Sequence, residues 1–350
     1  MVKAIQVAGY RIGPGEPCFV IAEAGVNHNG SLELARQLVD AAHAAGADAV
    51  KFQTFKAERL VTAAAPKAAY QQANTDAGES QLAMLQRLEL SEADHRVLLA
   101  HCGTRGIQFI STPFDEASAD LLAALDLPLF KLPSGELTNL PYLAHLARLG
   151  RPLIVSTGMS YLSEVEAAVR CFEANGNPPV ALLHCVSNYP AAPADVNLRA
   201  MATLGLAFGV PIGYSDHTPG NEVTLAAVAL GACIIEKHLT LDRTLPGPDH
   251  QASLEPNEFA AAVRGIRIVE SALGNGRKVP APSEANTAVV ARKSIVALRN
   301  MSEDEVIGTE NVGIMRPGTG LSPAMLSQLI GRRIRRPLAE GDVIKMEDLR

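Results

Sequence analysis

The amino-acid sequence predicts an α/β fold: a (β/α)8 TIM barrel followed by a small β-rich C-terminal domain. Three observations carry that prediction. Eight short apolar, β-prone runs recur through the first two thirds of the chain, stretches of helical character separate them, and polar or charged residues stand at the C-terminal end of almost every run. Runs that are apolar throughout belong to strands buried on both faces, and such strands occur in parallel sheets covered by crossover helices. A doubly wound sheet would gather its chemistry at one switch point. Polar ends on nearly every strand fit a closed barrel, whose site faces those ends.

Residues 1–17, MVKAIQVAGYRIGPGEP, form a short β extension ahead of the barrel and lack the long apolar core of a secretion signal. The eight runs are CFVIAE (18–23), DAVKFQ (48–53), GIQFIST (106–112), PLFKLPS (128–134), PLIVST (152–157), VALLHC (180–185), VPIGYSD (210–216) and ACIIEKH (232–238). Between them, segments such as 31–46 and 221–231 carry apolar residues at helical spacing and end in glycine, the usual helix C-cap. The stretch at 56–82 has no readable pattern. The barrel domain is expected over 1–272. A Gly/Pro-containing linker follows at 273–287, and a second domain of brief strands and turns spans 288–350. The basic run RRIRR at 332–336 is expected to be a solvated or partner-facing strand.

With 350 residues and 47% hydrophobic content the chain can bury a full core, and a net charge of −6 gives no footprint for nucleic acid or anionic lipid. No stretch reaches the ~20 apolar residues of a membrane span. Five scattered cysteines without CxxC spacing are expected to be reduced structural fillers, and the protein to be cytoplasmic.

Collected from the strand ends, the residues able to do chemistry are Glu23, Lys51, Gln53, Thr112, Lys131, Ser134, Glu136, Ser156, Ser187, Tyr189, Ser215, His217 and His238. Lys51 and Lys131 sit inside apolar strands, where an unpaired ammonium is costly, so an anion should face each. That anion is either a barrel glutamate or a ligand. The neighbouring hydroxyls favour a small, multiply charged ligand such as a phosphate with a carboxylate. His217 and His238 end adjacent strands and could share an ion in an open site suited to Mn2+, Mg2+ or Co2+. Glu23 and Glu136 are the carboxylates placed for proton handling or for orienting a substrate. His28, in the first βα loop, is expected to shape that loop.

The motifs IAEAGVNHNG (21–30), KFQT (51–54), STPFD (111–115), KLPSGE (131–136), STGMS (156–160), YSDHT (214–218), EKHLTLDRTLPGPDH (236–250) and RPGTGLSP (316–323), in this order, resemble the bacterial sialic acid synthases. The C-terminal part is similar to the antifreeze-like (SAF, β-clip) module of that family. The resemblance implies a metal-dependent condensation of phosphoenolpyruvate with the open-chain aldehyde of an N-acetylated amino sugar. By the same resemblance, His217 and His238 hold Mn2+, and Lys51, Lys131, Thr112, Ser134, Ser156, Ser187 and Ser215 hold phosphoenolpyruvate. It gives Glu136 the aldehyde and Glu23 proton transfer or hydroxyl binding. Gln53, Tyr189, Asp249 and Arg316 would meet the sugar, Arg316 reaching the barrel of a partner in a domain-swapped homodimer. LPGPDH (245–250) fits the N-acetylneuraminate and legionaminate branches rather than the pseudaminate branch. Two alternatives stay open: a class I aldolase with a Schiff base on Lys51 or Lys131, and a noncatalytic ice- or sugar-binding protein.

Overall fold

The computed structural model describes residues 2–76 and 78–350, and the chain divides into two compact units, 1–274 and 275–350. In the first unit a hairpin, β1 (Ile5–Val7) and β2 (Tyr10–Ile12), precedes eight parallel strands. These are β3 (Phe19–Gly25), β4 (Ala49–Thr54), β5 (Gln108–Pro113), β6 (Phe130–Leu132), β7 (Leu153–Ser156), β8 (Val180–Cys185), β9 (Ile212–Asp216) and β10 (Ile234–His238). Their hydrogen-bonded order is β5-β4-β3-β10-β9-β8-β7-β6, and β5 and β6 lie side by side to close the ring nearly completely.

Helices α1 (Leu32–Ala44), α2 (Ala57–Leu60), α3 (Ala69–Asn74), α4 (Gln81–Arg87), α5 (Glu92–Arg105), α6 (Glu116–Ala124), α7 (Leu140–Arg148), α8 (Leu162–Ala174), α9 (Ala200–Phe208), α10 (Glu222–Ala229) and α11 (Pro256–Leu273) fill the connections. Their starts follow capping chemistry. The Ser31 side chain accepts from Leu34 N at the head of α1, and Ser91 and Asp94 cap α5 reciprocally.

Side-chain parity decides where the core ends and the site begins. Outward residues such as Val20, Val50, Phe109, Phe130, Val155 and Ile235 pack under the helices in one large apolar cluster. Inward residues at the strand starts, Phe19, Ile21, Ala49, Ile110, Ile154, Leu183 and Ile234 among them, form a second cluster with Ile5, Val7 and Ile12 of the hairpin. The hairpin thus plugs the N-terminal end of the barrel. Space in that layer is tight: a Cβ on inward-facing Gly213 would lie 2.6 Å from both Ile234 Cβ and Leu183 Cδ2. Two residues further along each strand, the same inward parity turns from apolar to polar.

In the second unit, a 3-10 turn (Pro282–Glu284) and α12 (Ala285–Ala291) precede β11 (Ser294–Ala297), so part of the stretch expected as linker is helical. Strand β11 pairs antiparallel with β12 (Val312–Met315), and single bridges join Val296 to Val343, Met301 to Leu338 and Ile334 to Leu349. Helix α13 (Leu326–Leu329) completes the unit, whose buried centre includes Ile295, Met301, Ile307, Ile334, Leu338 and Ile344. In RRIRR only Ile334 is buried. The arginines are exposed, and Arg336 pairs with the buried Asp348. Among the described residues no helix is long and apolar enough to cross a membrane.

Candidate active site

A cavity of about 400 Å3 opens at the C-terminal ends of the barrel strands, where the inward residues turn polar. Register sets its floor: Glu23 on β3 lies beside Lys51 on β4, Gln53 beside Thr112 on β5, and Glu236 on β10 beside Ser215 on β9. Lys51 Nζ stands 2.7 Å from Glu23 Oε2 and 3.8 Å from Glu236 Oε2, and donates to Thr112 Oγ1 at 3.0 Å. Lys131 Nζ lies 3.3 Å from Glu236 Oε1, which also accepts from Ser215 Oγ at 2.9 Å. Two ammonium groups and two carboxylates therefore share one buried floor, and each expected lysine has a glutamate opposite it.

The electrostatics of this quartet are uneven. Burial pushes the Glu23 carboxyl up, more than Lys51 pulls it down. Burial acts on Glu236 too, but there Lys131 and Lys51 together outweigh it and hold the carboxylate low. Lys51 is held above its ordinary value because its two carboxylates overcome desolvation, whereas burial and the Lys51 charge leave Lys131 below it. The result is one firmly ionised acid and one acid poised to exchange a proton.

Hydroxyls surround the quartet. Ser156 Oγ is buried without a partner, and Ser134 Oγ accepts from Gly158 N at 2.9 Å while lying 3.2 Å from Cys185 Sγ. Ser187 lines the same wall. A Cβ on Gly158 would come within 2.8 Å of Cys185 Sγ and 2.9 Å of Ser134 Oγ, so only glycine leaves this corner open. Cys185, expected as filler, is part of the cavity surface. Asp249 is buried at the rim, where desolvation raises its carboxyl to about 6.

The imidazoles of His217 and His238 face each other with ring centroids 5.5 Å apart. Val186 O can only accept, so His217 Nδ1, 2.7 Å away, carries the proton and leaves Nε2 with a lone pair. His238 Nδ1 is buried and unpartnered. Burial depresses both rings, which keeps them neutral and able to ligate. Tyr189 covers the pair, its ring centroid 4.1 Å from that of His217 and 5.5 Å from that of His238. Among the described residues no cluster of three or more His, Cys, Asp or Glu side chains forms a ready metal cage. An ion held by this pair would be completed by water or substrate, so the donor set fits an open divalent site.

One expected residue of the barrel turns away from this group. Glu136 does not line the cavity: the short 3-10 turn Ser134–Glu136 sends Ser134 inward, while the Glu136 carboxylate accepts from Asn139 Nδ2, the N-cap residue of α7, at 2.8 Å. Arg316 lies exposed in the second unit, its Nε donating to Ala291 O. His28 is buried in the first βα loop, where its Nδ1 accepts from Gly30 N, a loop-shaping contact.

The NeuB family model matches residues 38–278, more than half the chain, and the SAF domain model matches residues 292–350. The chain belongs to the NeuB family. It is 48% identical over 341 residues to the N,N'-diacetyllegionaminic acid synthase of Legionella pneumophila, with 96% of each chain covered. The enzyme of the same name from Campylobacter jejuni is 46% identical over 328 residues, covering 93% of this chain and 98% of its own. A solved N-acetylneuraminic acid synthetase from Leptospira borgpetersenii, in complex with citrate, matches at a TM-score of 0.73 and 36% identity. That match spans 82% of this chain and 95% of the synthetase.

Within this NeuB-family barrel, sequence reasoning passed over two features. Glu236, the carboxylate both lysines share, is two residues before His238 and therefore faces inward with it; the period of two was the available signal. The residues between, Asp216 and Lys237, face outward and form a buried ion pair at 2.7 Å that ties β9 to β10. Asp216 also accepts from Thr218 and Thr224.

Proposed function

We propose that this chain condenses phosphoenolpyruvate with the open-chain aldehyde of an N-acetylated amino sugar, giving a nine-carbon sialic-acid-type sugar and phosphate. The observation that carries it is the floor of Lys51, Lys131, Glu23 and Glu236 beside an unpartnered Ser156 hydroxyl: two buried ammonium groups, of which Lys131 is incompletely compensated, in reach of several donors. A phosphate and a carboxylate on one small molecule would satisfy these donors together. The two relatives at 48% and 46% identity carry the name N,N'-diacetyllegionaminic acid synthase, which favours a 2,4-diacetamido-2,4,6-trideoxymannose acceptor over N-acetylmannosamine.

The reaction forms a bond from C3 of phosphoenolpyruvate to the aldehyde carbon. Water adds at C2, and phosphate leaves by C–O cleavage. Lys51, Lys131, Thr112, Ser134, Ser156, Ser187 and Ser215 hold the phosphate and carboxylate. Glu23, with its raised carboxyl, takes and returns protons at the adding water or the nascent alkoxide. Gln53, Tyr189 and Asp249 meet the sugar, and Tyr189 excludes water from the imidazole pair. His217 and His238 would hold a divalent ion, Mn2+ before Mg2+ or Co2+, which when bound supplies Lewis acidity toward the aldehyde oxygen. The protein would act in the cytoplasm as a domain-swapped homodimer in which Arg316 reaches the partner's barrel.

The test is phosphate release from phosphoenolpyruvate with Mn2+ and each of the two sugars. Turnover that is lost on chelation and in Lys131→Met is the expected result. Release with neither sugar, together with a borohydride-trapped pyruvate adduct on Lys51 or Lys131, would replace this reading with the aldolase.

A further inference from the structure

The connection from β4 to α5 runs over residues 55–91, far longer than the ~2–6 residues that a βα loop of a barrel needs. Of its three short helices, α2 and α4 pack together over a hydrophobic cluster of their own, to which α3 adds no buried side chain. Phe55, Ala57, Met84, Leu85 and Leu88 pack with Val26, apart from both barrel clusters. Part of this cluster is cavity wall. Leu60, Val61, Met84, Leu85 and Leu88 line the same cavity whose floor is ionic, and the amides of Gln71 and Gln81 stand beside them. Each hydroxyl turned toward such a wall loses water and gains no partner, so the wall favours C–H and methyl groups over hydroxyls.

Resting on the proposed condensation, we infer that the α2–α4 wall selects the far end of the acceptor: it seats a deoxygenated, methyl-ended sugar chain and discriminates against the same sugar carrying a hydroxyl at C6. The reacting aldehyde belongs at the polar floor beside the imidazole pair. The opposite end of an extended six-carbon chain is then carried toward the apolar wall, with the Gln81 amide available to an acetamido group, while Gln71 Oε1 is held by Ala68 N. A hydrophobic surface rejects an added hydroxyl by no more than ~100-fold, so the expected discrimination is ~10- to 100-fold. Leu60, Val61, Met84, Leu85 and Leu88 are specificity residues in this account, and none of them touches the reacting atoms.

The experiment uses the full-length protein with Mn2+ and phosphoenolpyruvate and compares 2,4-diacetamido-2,4,6-trideoxymannose with its 6-hydroxy counterpart. The wild type should favour the deoxy sugar at least tenfold in kcat/KM, through KM. The half-buried Leu60→Gln should bring that ratio toward one while KM for phosphoenolpyruvate and the thermal midpoint stay put, and Leu85→Gln, inside the buried cluster, should do the same to the ratio at a lowered thermal midpoint. Equal kcat/KM for the two sugars in the wild type, or variants that slow both sugars alike, would overturn the assignment of the wall. Turnover of N-acetylmannosamine alone would overturn it too and leave the condensation standing. Phosphate release with none of these acceptors would remove the condensation itself.

Discussion

Asp249 shows what a buried site costs the empty protein. Desolvation lifts its carboxyl from an ordinary 3.8 to about 6, with Lys51 only partly opposing. A carboxyl whose folded value is raised contributes its full stability below the unfolded value and loses it as pH rises through the folded one. Between about pH 4 and 7 the ligand-free protein should therefore lose on the order of 3 kcal/mol at this residue. Asp249→Asn stays neutral throughout. Urea unfolding of wild type and variant across that range should show a gap that opens with pH in the variant's favour, and a constant gap would refute the assignment. Glu236 makes a related point about legibility. Lys51 and Lys131 were conspicuous because charge inside an apolar run is anomalous, whereas Glu236 sat in a run already explained by His238. Its inward direction follows from the period of two, but its role as the shared counter-ion is visible only once the barrel brings Lys51 of β4 and Lys131 of β6 to it.

At the level of elements, the eight barrel strands were legible because burial on both faces leaves apolar runs that need no partner to be recognised. The α2–α4 segment was not. Its helices are 4, 6 and 7 residues long, and α3 buries none of its side chains, so no periodicity survives in the sequence. The outward ion pair was hidden for another reason: Asp216 and Lys237 meet only across adjacent strands. That pair is a tie at the height of the two histidines, which flank it in sequence on the inward face. Lys237→Met would strand the Asp216 carboxylate among hydroxyls. Removing one partner of a buried pair costs ~3–5 kcal/mol. Chemical unfolding should show a loss of that size, and a loss below about 1 kcal/mol, the range of exposed pairs, would mean that the pair ties nothing.

For the whole molecule, the proposed condensation gives the second unit a testable part through Arg316. Arg316 is exposed, and its only hydrogen bond within the described residues is from Nε to Ala291 O, which leaves the rest of the guanidinium free for a carboxylate or phosphate. If Arg316 serves the barrel of a partner, then Arg316→Ala and the barrel variant Lys51→Met fail in different halves of the same composite site. A mixed dimer then holds one intact site, built from the barrel of the first variant and Arg316 of the second. Random exchange makes half the dimers mixed, so equal amounts of the two inactive proteins should regain about a quarter of wild-type turnover. If Arg316 serves its own barrel, no mixture contains an intact site and activity stays at the level of the separate variants. Phosphate release after co-incubation under conditions that allow subunit exchange separates these outcomes. A purified dimer that is cross-linked before mixing should regain nothing in either case, which ties any recovery to exchange of chains.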